Sequence, residues 1–380
     1  MKTQIVEGWS AAQALADDWR QLHQVTQGAS LFNSFDFLDI WIEFFGEDIT
    51  PVIVTIRDDA DALVGLAGLQ IKIFKKGPIE LRRMNFLQNK HISRTGVLAT
   101  GDIAAVTKAL AAAIFDMRRR YDDIVFEHLL LECPVQQAFR EALGEVGFVT
   151  FEAEPSRPLQ SIVFEGNSES YLETRKQSVR KDIRRAKRRC DELDGFNSFV
   201  IDVTKSPRDS MREFFSLDWL SSKVGTFGAL YTSDEKLFYL ALIENSDRFG
   251  PMEMTAERID GRLISSMFSI IFGDTKYLMC TYTDVEYANS NAGRYTIWHS
   301  VELGLDDPEI RVLDMNGGSL LQAQISNTQL AIGDLKANHN GAMSRAIAMG
   351  RQYKSFAETQ KSKREAERSS PEKPGVVSAP

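Results

Sequence analysis

Two stretches of this chain, roughly 200 residues apart, follow one pattern, as tandem copies of a single fold would. The first is Val54-Thr55-Ile56-Arg57, an acidic turn through Asp58, Asp59 and Asp61, then Leu63-Val64-Gly65-Leu66-Ala67-Gly68-Leu69. The second is Ala256-Glu257-Arg258-Ile259, a turn at Asp260-Gly261, then Arg262-Leu263-Ile264-Ser265-Ser266-Met267-Phe268-Ser269-Ile270. Apolar and β-branched runs separated by Asp/Gly punctuation are strands joined by tight turns. At about 150 residues per domain, a chain of 380 residues holds two such copies.

Helical periodicity separates the strand runs. Ala12, Leu15, Ala16, Trp19 and Leu22 have helical spacing, as do the apolar residues of 103–120 and 135–146. Strands are expected at 51–56, 63–74 and 124–131. The second half repeats the alternation, with a basic helix over 168–193, a strand at 199–203, and helices at 207–222 and 233–246. Strands at 252–259, 263–272 and 276–283, a helix at 293–304 and a strand at 311–315 follow. Such alternation predicts an α/β or mixed α+β architecture. From about Ala357 onward Glu, Lys, Arg, Ser and Pro dominate, and disorder is expected there.

Composition removes several classes. Hydrophobic residues make up 43% and charged residues 26%, which excludes collagen, a coiled coil and wholesale disorder. A net charge of −8 argues against a protein that coats nucleic acid. No run approaches the roughly 18 apolar residues of a membrane helix, and residues 1–9 lack a basic-then-apolar leader. A cytoplasmic protein without a transmembrane segment is expected. Cys133, Cys190 and Cys280 are odd in number and far apart, and no two histidines fall at i, i+4, so neither a disulfide framework nor a metal site is expected. P-loop, Gly-x-Ser-x-Gly and His-Glu-x-x-His motifs are absent.

A further order of residues carries a resemblance. A basic helix, Asp218-Trp219, Asp260-Gly261, Tyr282-Thr283-Asp284, the loop Glu286-Tyr287-Ala288-Asn289-Ser290-Asn291-Ala292-Gly293 and Leu313-Asp314 follow one another, preceded by Phe32-Asn33-Ser34-Phe35-Asp36-Phe37, Trp41 and Phe45-Gly46. This resembles the GNAT-fold acyltransferases of the FemAB-like group, in particular the CelD-like, cellulose-biosynthesis-associated branch. The resemblance implies two tandem GNAT-like domains, each a twisted, mostly antiparallel sheet flanked by helices, with one competent site. It divides the chain into 1–160, 161–345 with the acyl-donor site, and 346–380, a helical end and tail. It further implies two splayed parallel strands that take a pantetheine arm, with pyrophosphate at the next helix. Asn289, Asn291, Gly293 (able to take positive φ) and Arg294 are the expected anion cradle. The loop departs from the family in holding one glycine.

Catalytic expectations fall at strand ends. Asp314 matches the family's strand-ending aspartate and is the expected base or amine orienter, or else a turn cap. Tyr282 is an expected proton donor to the departing thiolate, or plain packing, with Asp284 beside it. His91 and Arg94, with Asp218 and Trp219, are expected at the acceptor; His91 is otherwise a solvated loop residue. The Lys and aromatic common downstream of the family's aspartate are missing from 317–324.

Between Tyr171 and Asp191 stand nine Lys/Arg, among them Arg184 and Arg185, against three acids, a local +6 in an acidic chain. Such a face suits the phosphates of coenzyme A, an acidic acyl-carrier protein, or tRNA, and is otherwise a solvated surface. The expected function is N-acyl transfer from acyl-CoA or acyl-carrier protein to an amine of an amino sugar or amino acid. Alternatives are a tRNA-dependent FemAB-type aminoacyl transferase, whose usual long paired helices are not evident, or a non-catalytic module of envelope polysaccharide assembly.

Overall fold

The computed structural model describes residues 1–76, 79–152, 158–163, 166–221 and 232–350. The expected tail from 357 lies outside them. The first half comprises β1 (Lys2–Glu7), α1 (Trp9–Ala12), α2 (Ala16–Val25), α3 (Phe35–Phe45), β2 (Thr50–Arg57), β3 (Leu63–Lys76), β4 (Ile79–Phe86) and β5 (Leu98–Ala99). It continues with α4 (Ile103–Asp116), β6 (Asp123–Leu130), α5 (Pro134–Glu145) and β7 (Val149–Glu152). β8 (Leu159–Val163), α6 (Ser168–Glu173) and α7 (Gln177–Asp191) lead into the second half. There β9 (Phe196–Asp202), α8 (Pro207–Leu220), α9 (Ser233–Glu244), β10 (Met252–Ile259), β11 (Arg262–Phe272) and β12 (Thr275–Thr283) come first. α10 (Ala292–Asp306), β13 (Val312–Asp314), α11 (Leu320–Ile325), β14 (Thr328–Leu330), β15 (Ile332–Asn338) and a helix at 342–350 finish it.

The strand orders are β1-β2-β3-β4-β6-β15-β7, with β5 beside β3, and β9-β10-β11-β12-β13-β8-β14. Position by position these are one design. Four antiparallel strands are followed by a parallel step, β4 to β6 and β12 to β13, and then by an antiparallel strand. The echo in the sequence is the pair of hairpins β2–β3 and β10–β11, which occupy equivalent places. In the second hairpin Asp260 and Gly261 both take positive φ (48° and 83°), the two-residue turn that suits strand twist. The copies exchange a strand: β8 follows the first half yet lies in the second sheet, and β15 does the reverse. The expected boundary near 160 falls at this exchange.

One apolar core joins the halves. Phe32 meets Tyr277 edge-on (5.6 Å), and Phe37 and Phe45 meet Phe238 at 5.6 and 5.2 Å. Removing such a buried ring costs about 3–5 kcal/mol, so this seam fixes the halves against each other. The basic segment corrects the expectation of a single helix over 168–193. The chain breaks after α6, where the Tyr171 hydroxyl donates to Ile325 O (2.6 Å) and Arg175 to Ser326 O (2.7 Å). Helix α7 then starts afresh and buries Val179, Ile183, Ala186 and Cys190.

Candidate active site

The parallel pairing of β12 with β13 lasts three residues: Thr275 with Val312, Lys276 with Leu313, Tyr277 with Asp314. β13 then ends, and the chain turns off through Met315, whose N–H donates to Gln160 O on β8 (3.0 Å). β12 runs on to Thr283. Its register against β11 jumps from Cys280 opposite Phe268 to Leu278 opposite Ser269, so Met279 is a bulged residue. A bulge bends its strand and ends regular pairing. The result is a V-shaped opening in which β12 from Leu278 to Thr283 has no strand beside it on the β13 side, among the described residues.

At the far end of β12 the chain makes a turn, Val285–Ser290, and enters α10. The helix lies very close to the strand. A Cβ on Gly293 would stand 2.4 Å from Thr283 Oγ1, so glycine is required here for approach. This corrects the expectation that Gly293 takes positive φ; the left-handed residue is its neighbour Asn291 (φ 63°). Ser265 Oγ and Thr283 Oγ1 are hydrogen-bonded at 2.8 Å, and Thr296 Oγ1 donates to Ser265 Oγ (2.7 Å), locking the first turn of α10 onto the sheet. The N-cap residue Asn291 gives that turn no side-chain bond, and Ser290 Oγ accepts the Ala292 N–H (3.3 Å). The N–H groups of Gly293 and Arg294 follow at the end of the V, an arrangement that attracts anions.

Helix α7 flanks the same spot. Arg189 donates to Asn289 O (3.2 Å), and Arg294 on α10 pairs with Asp182 on α7 (3.2 Å). Arg185 reaches the same carboxylate at 3.8 Å. Arg185, Arg294, Asn289 and Asn291 thus lie close together around the start of α10. Arg189 belongs with them and was legible only as one cation in a run of nine. Arg184 sits about 100° farther round the helix and makes no ion pair among the described residues.

The other face of β12 and β13 looks into the seam between the halves. Asp314 (2% exposed) receives the Asn316 N–H at Oδ1 (2.8 Å) and an ion pair from Arg94. Arg94 comes from the first half and is itself only 7% exposed, with its guanidinium 5.9 Å from the Tyr277 ring centre. Its loop fills the first half's own V. β4 and β6 pair only at Arg83–Asp123 and Met84–Ile124, and 87–97 lies in the gap beyond. There Gln88 Nε2 donates to Glu127 and Thr95 N–H to His128 O (3.0 Å). The opening that no described strand fills in the second half is therefore plugged in the first.

His91 is no solvated loop residue. It stacks on Phe45 (5.3 Å), with Nδ1 3.4 Å from the Tyr239 hydroxyl and Nε2 3.4 Å from Glu235. Burial pushes its pKa down to about 4, so the ring is neutral at neutral pH and cannot grip an anion by charge. Glu235 is held by its local role: with Thr232 it forms the capping box of α9, and it also pairs with Lys90. Tyr282, buried against Phe214 (5.0 Å), is hydrogen-bonded to Asp218, and burial drives its phenol pKa far up. That bond uses the phenol's single O–H, and the phenol does not readily give up its proton. Asp284 caps the turn after β12 by accepting from Glu286 N–H (3.0 Å) and pairs with Arg262, both structural duties. Trp219 is 66% exposed under Lys236, away from Asp218's partner Tyr282. Cys280 Sγ lies 3.2 Å from the Tyr239 hydroxyl, and burial pushes the Cys190 thiol up to about 12, which disarms it as a nucleophile.

Residues 177–320 match the family model described as Acetyltransferase (GNAT) domain. In fold, the chain is similar to the crystal structure of FemX (TM-score 0.60, 11% identity, 88% of this chain and 97% of that one). It is also similar to a tandem GNAT protein from the clavulanic acid biosynthesis pathway (TM-score 0.50, 12% identity, 88% and 98%). No curated protein matches it in sequence. Residues 177–320, which hold the open V, the loop and α10, match a GNAT acetyltransferase domain, and the protein is an acyltransferase.

Proposed function

We propose that the protein transfers an acyl group from a pantetheine thioester, on coenzyme A or an acyl-carrier protein, to an amine of an amino sugar or amino acid. The observation that carries this is the parting of β12 from β13 with the first turn of α10 at its end. The pantetheine arm would pair with the unpartnered edge of β12. Its pyrophosphate would meet the N–H groups of α10 beside Arg294, Arg185 and Arg189. That places the thioester near Asp314, where the second face of the sheet meets the seam.

Transfer is direct. The acceptor ammonium first loses a proton; its nitrogen then attacks the thioester carbon, the C–N bond forms and the C–S bond breaks. The second amine proton ends on the departing thiolate. Asp314 orients the amine, and Tyr282 turns its O–H from Asp218 to the leaving sulfur. The outer cations of α7, Lys181, Arg184 and Arg188, fall at i, i+3 and i+7, a stripe suited to an acidic carrier protein.

Thermal-shift titration with coenzyme A, acetyl-, octanoyl- and palmitoyl-CoA and an acylated carrier protein tests this. Ligand at 100 times its dissociation constant stabilises the fold by about 2.7 kcal/mol. Flat curves for every thioester, with a shift from aminoacyl-tRNA, would transfer the same cationic helix to the second reading, a tRNA-dependent aminoacyl transferase.

A further inference from the structure

The loop 88–94 and the turn after β13 share an unusual property: buried polar atoms without a hydrogen-bond partner gather there. Gln88 Oε1, Ser93 Oγ, Arg94 Nε and Asn316 Oδ1 are all in this state. Each such atom costs free energy unless something else satisfies it, so a cluster is a mark of a missing polar ligand. Arg94 is the centre of the cluster. A guanidinium carries five N–H donors, and this one faces Asp314 and lies over the Tyr277 ring. Asp314 has the complementary surplus, because a carboxylate accepts about four hydrogen bonds and, among the described residues, only Asn316 N–H and Arg94 reach it.

Arg94 and Asp314 thus present adjacent positive and negative groups, both buried, at the apex of the open V. Two opposite charges in contact are complementary to a molecule that carries the same two charges in contact, reversed. An α-amino acid is such a molecule, with its carboxylate and ammonium one carbon apart. An amino sugar offers only the ammonium.

We propose that the acceptor is a free α-amino acid, its carboxylate taken by Arg94 and its amine by Asp314. This rests on the acyltransferase reading and narrows its acceptor. Ser93 Oγ and Asn316 Oδ1 supply the remaining polar contacts. The first half, whose own V is plugged, then serves the second by delivering the carboxylate-binding residue.

The test uses the full chain in two assays. Isothermal titration measures binding of the common amino acids, of their α-carboxamides and of glucosamine; initial rates with acetyl- and octanoyl-CoA measure transfer to the same compounds. At least one free amino acid is expected to bind, and its amide to bind roughly ten- to hundredfold more weakly. Arg94→Gln with Asp314→Asn, which leaves no lone buried charge, should melt near the parent and erase the difference between acid and amide. Amides that match their acids, or amino acids that fail to bind at all, overturn the proposal. Transfer to glucosamine without amino-acid binding would overturn it while leaving the acyltransferase reading intact; failure of every thioester to bind or react would strike that reading instead.

Discussion

Gly293 lies against Thr283 so closely that a methyl group on the glycine would stand 2.4 Å from the threonine oxygen and 3.3 Å from its Cβ. This contact sets where the N–H groups of α10 point, and hence where a pyrophosphate can sit. Gly293→Ala should push the first turn of α10 off β12. Overpacking of this kind costs about 1–3 kcal/mol, so the protein should still fold. Coenzyme A affinity is expected to fall at least tenfold, and Thr283→Ala in the same chain to restore part of it by removing the oxygen. Unchanged affinity in the single variant would take the anion site away from α10.

The buried imidazole of His91 makes a pH prediction whose sign is fixed. Its folded pKa, about 4, lies below the ordinary 6.5. Below pH 6.5 the unfolded chain takes up a proton that the folded ring refuses until about pH 4. Stability is therefore lost as pH falls through that window, by up to about 3 kcal/mol from this group. His91→Phe keeps the stack on Phe45 and removes the titration. Urea unfolding at pH 7 and pH 5 should show a smaller loss for the variant. Equal losses would mean that the ring is protonated in the fold.

How much of this was legible in the sequence follows from the range of the interactions. Strands β10, β11 and β12 and helix α10 came through within two residues, because alternating apolar runs, Asp260-Gly261 and the Ser265-Ser266 pair act locally. The tandem design was visible in the hairpins alone. The exchange of β8 and β15 was not, since neither short strand differs in pattern from any other edge of a sheet. Gly293 was singled out for the wrong reason: a sequence shows a glycine but not the threonine that crowds it. Asp314 and Arg94 were each noted, yet their pairing spans 220 positions and depends on a seam of aromatic packing that no local pattern encodes. His91 was misjudged on the same ground, because Phe45, Phe238 and Tyr239, which bury it, come from distant elements.

The plugged first V predicts stoichiometry. With Gln88 and Thr95 bound into the gap between β4 and β6, one coenzyme A is expected per chain despite two similar sheets. Isothermal titration checks this, and Gly293→Ala should weaken the whole signal rather than half of it. Two equivalent sites would show that the loop 87–97 leaves its gap.

Tyr282 separates a hydrogen-bond donor from a proton source. Burial beside Phe214 and a hydrogen bond to Asp218 raise its phenol far above the ordinary range, so it stays protonated across any usable pH. A general acid of that strength would make little of its proton available, whereas an O–H that turns from Asp218 to a departing thiolate still lowers the barrier. Tyr282→Phe should therefore reduce kcat by about ten- to a hundredfold with little change in KM, the size of a lost charge-assisted hydrogen bond. The pH–rate profile should keep its shape, because no limb of it belongs to this phenol. Loss of a basic limb in the variant, measured with a saturating thioester between pH 6 and 10, would instead make Tyr282 the group that titrates, and Asp218 the residue that tunes it.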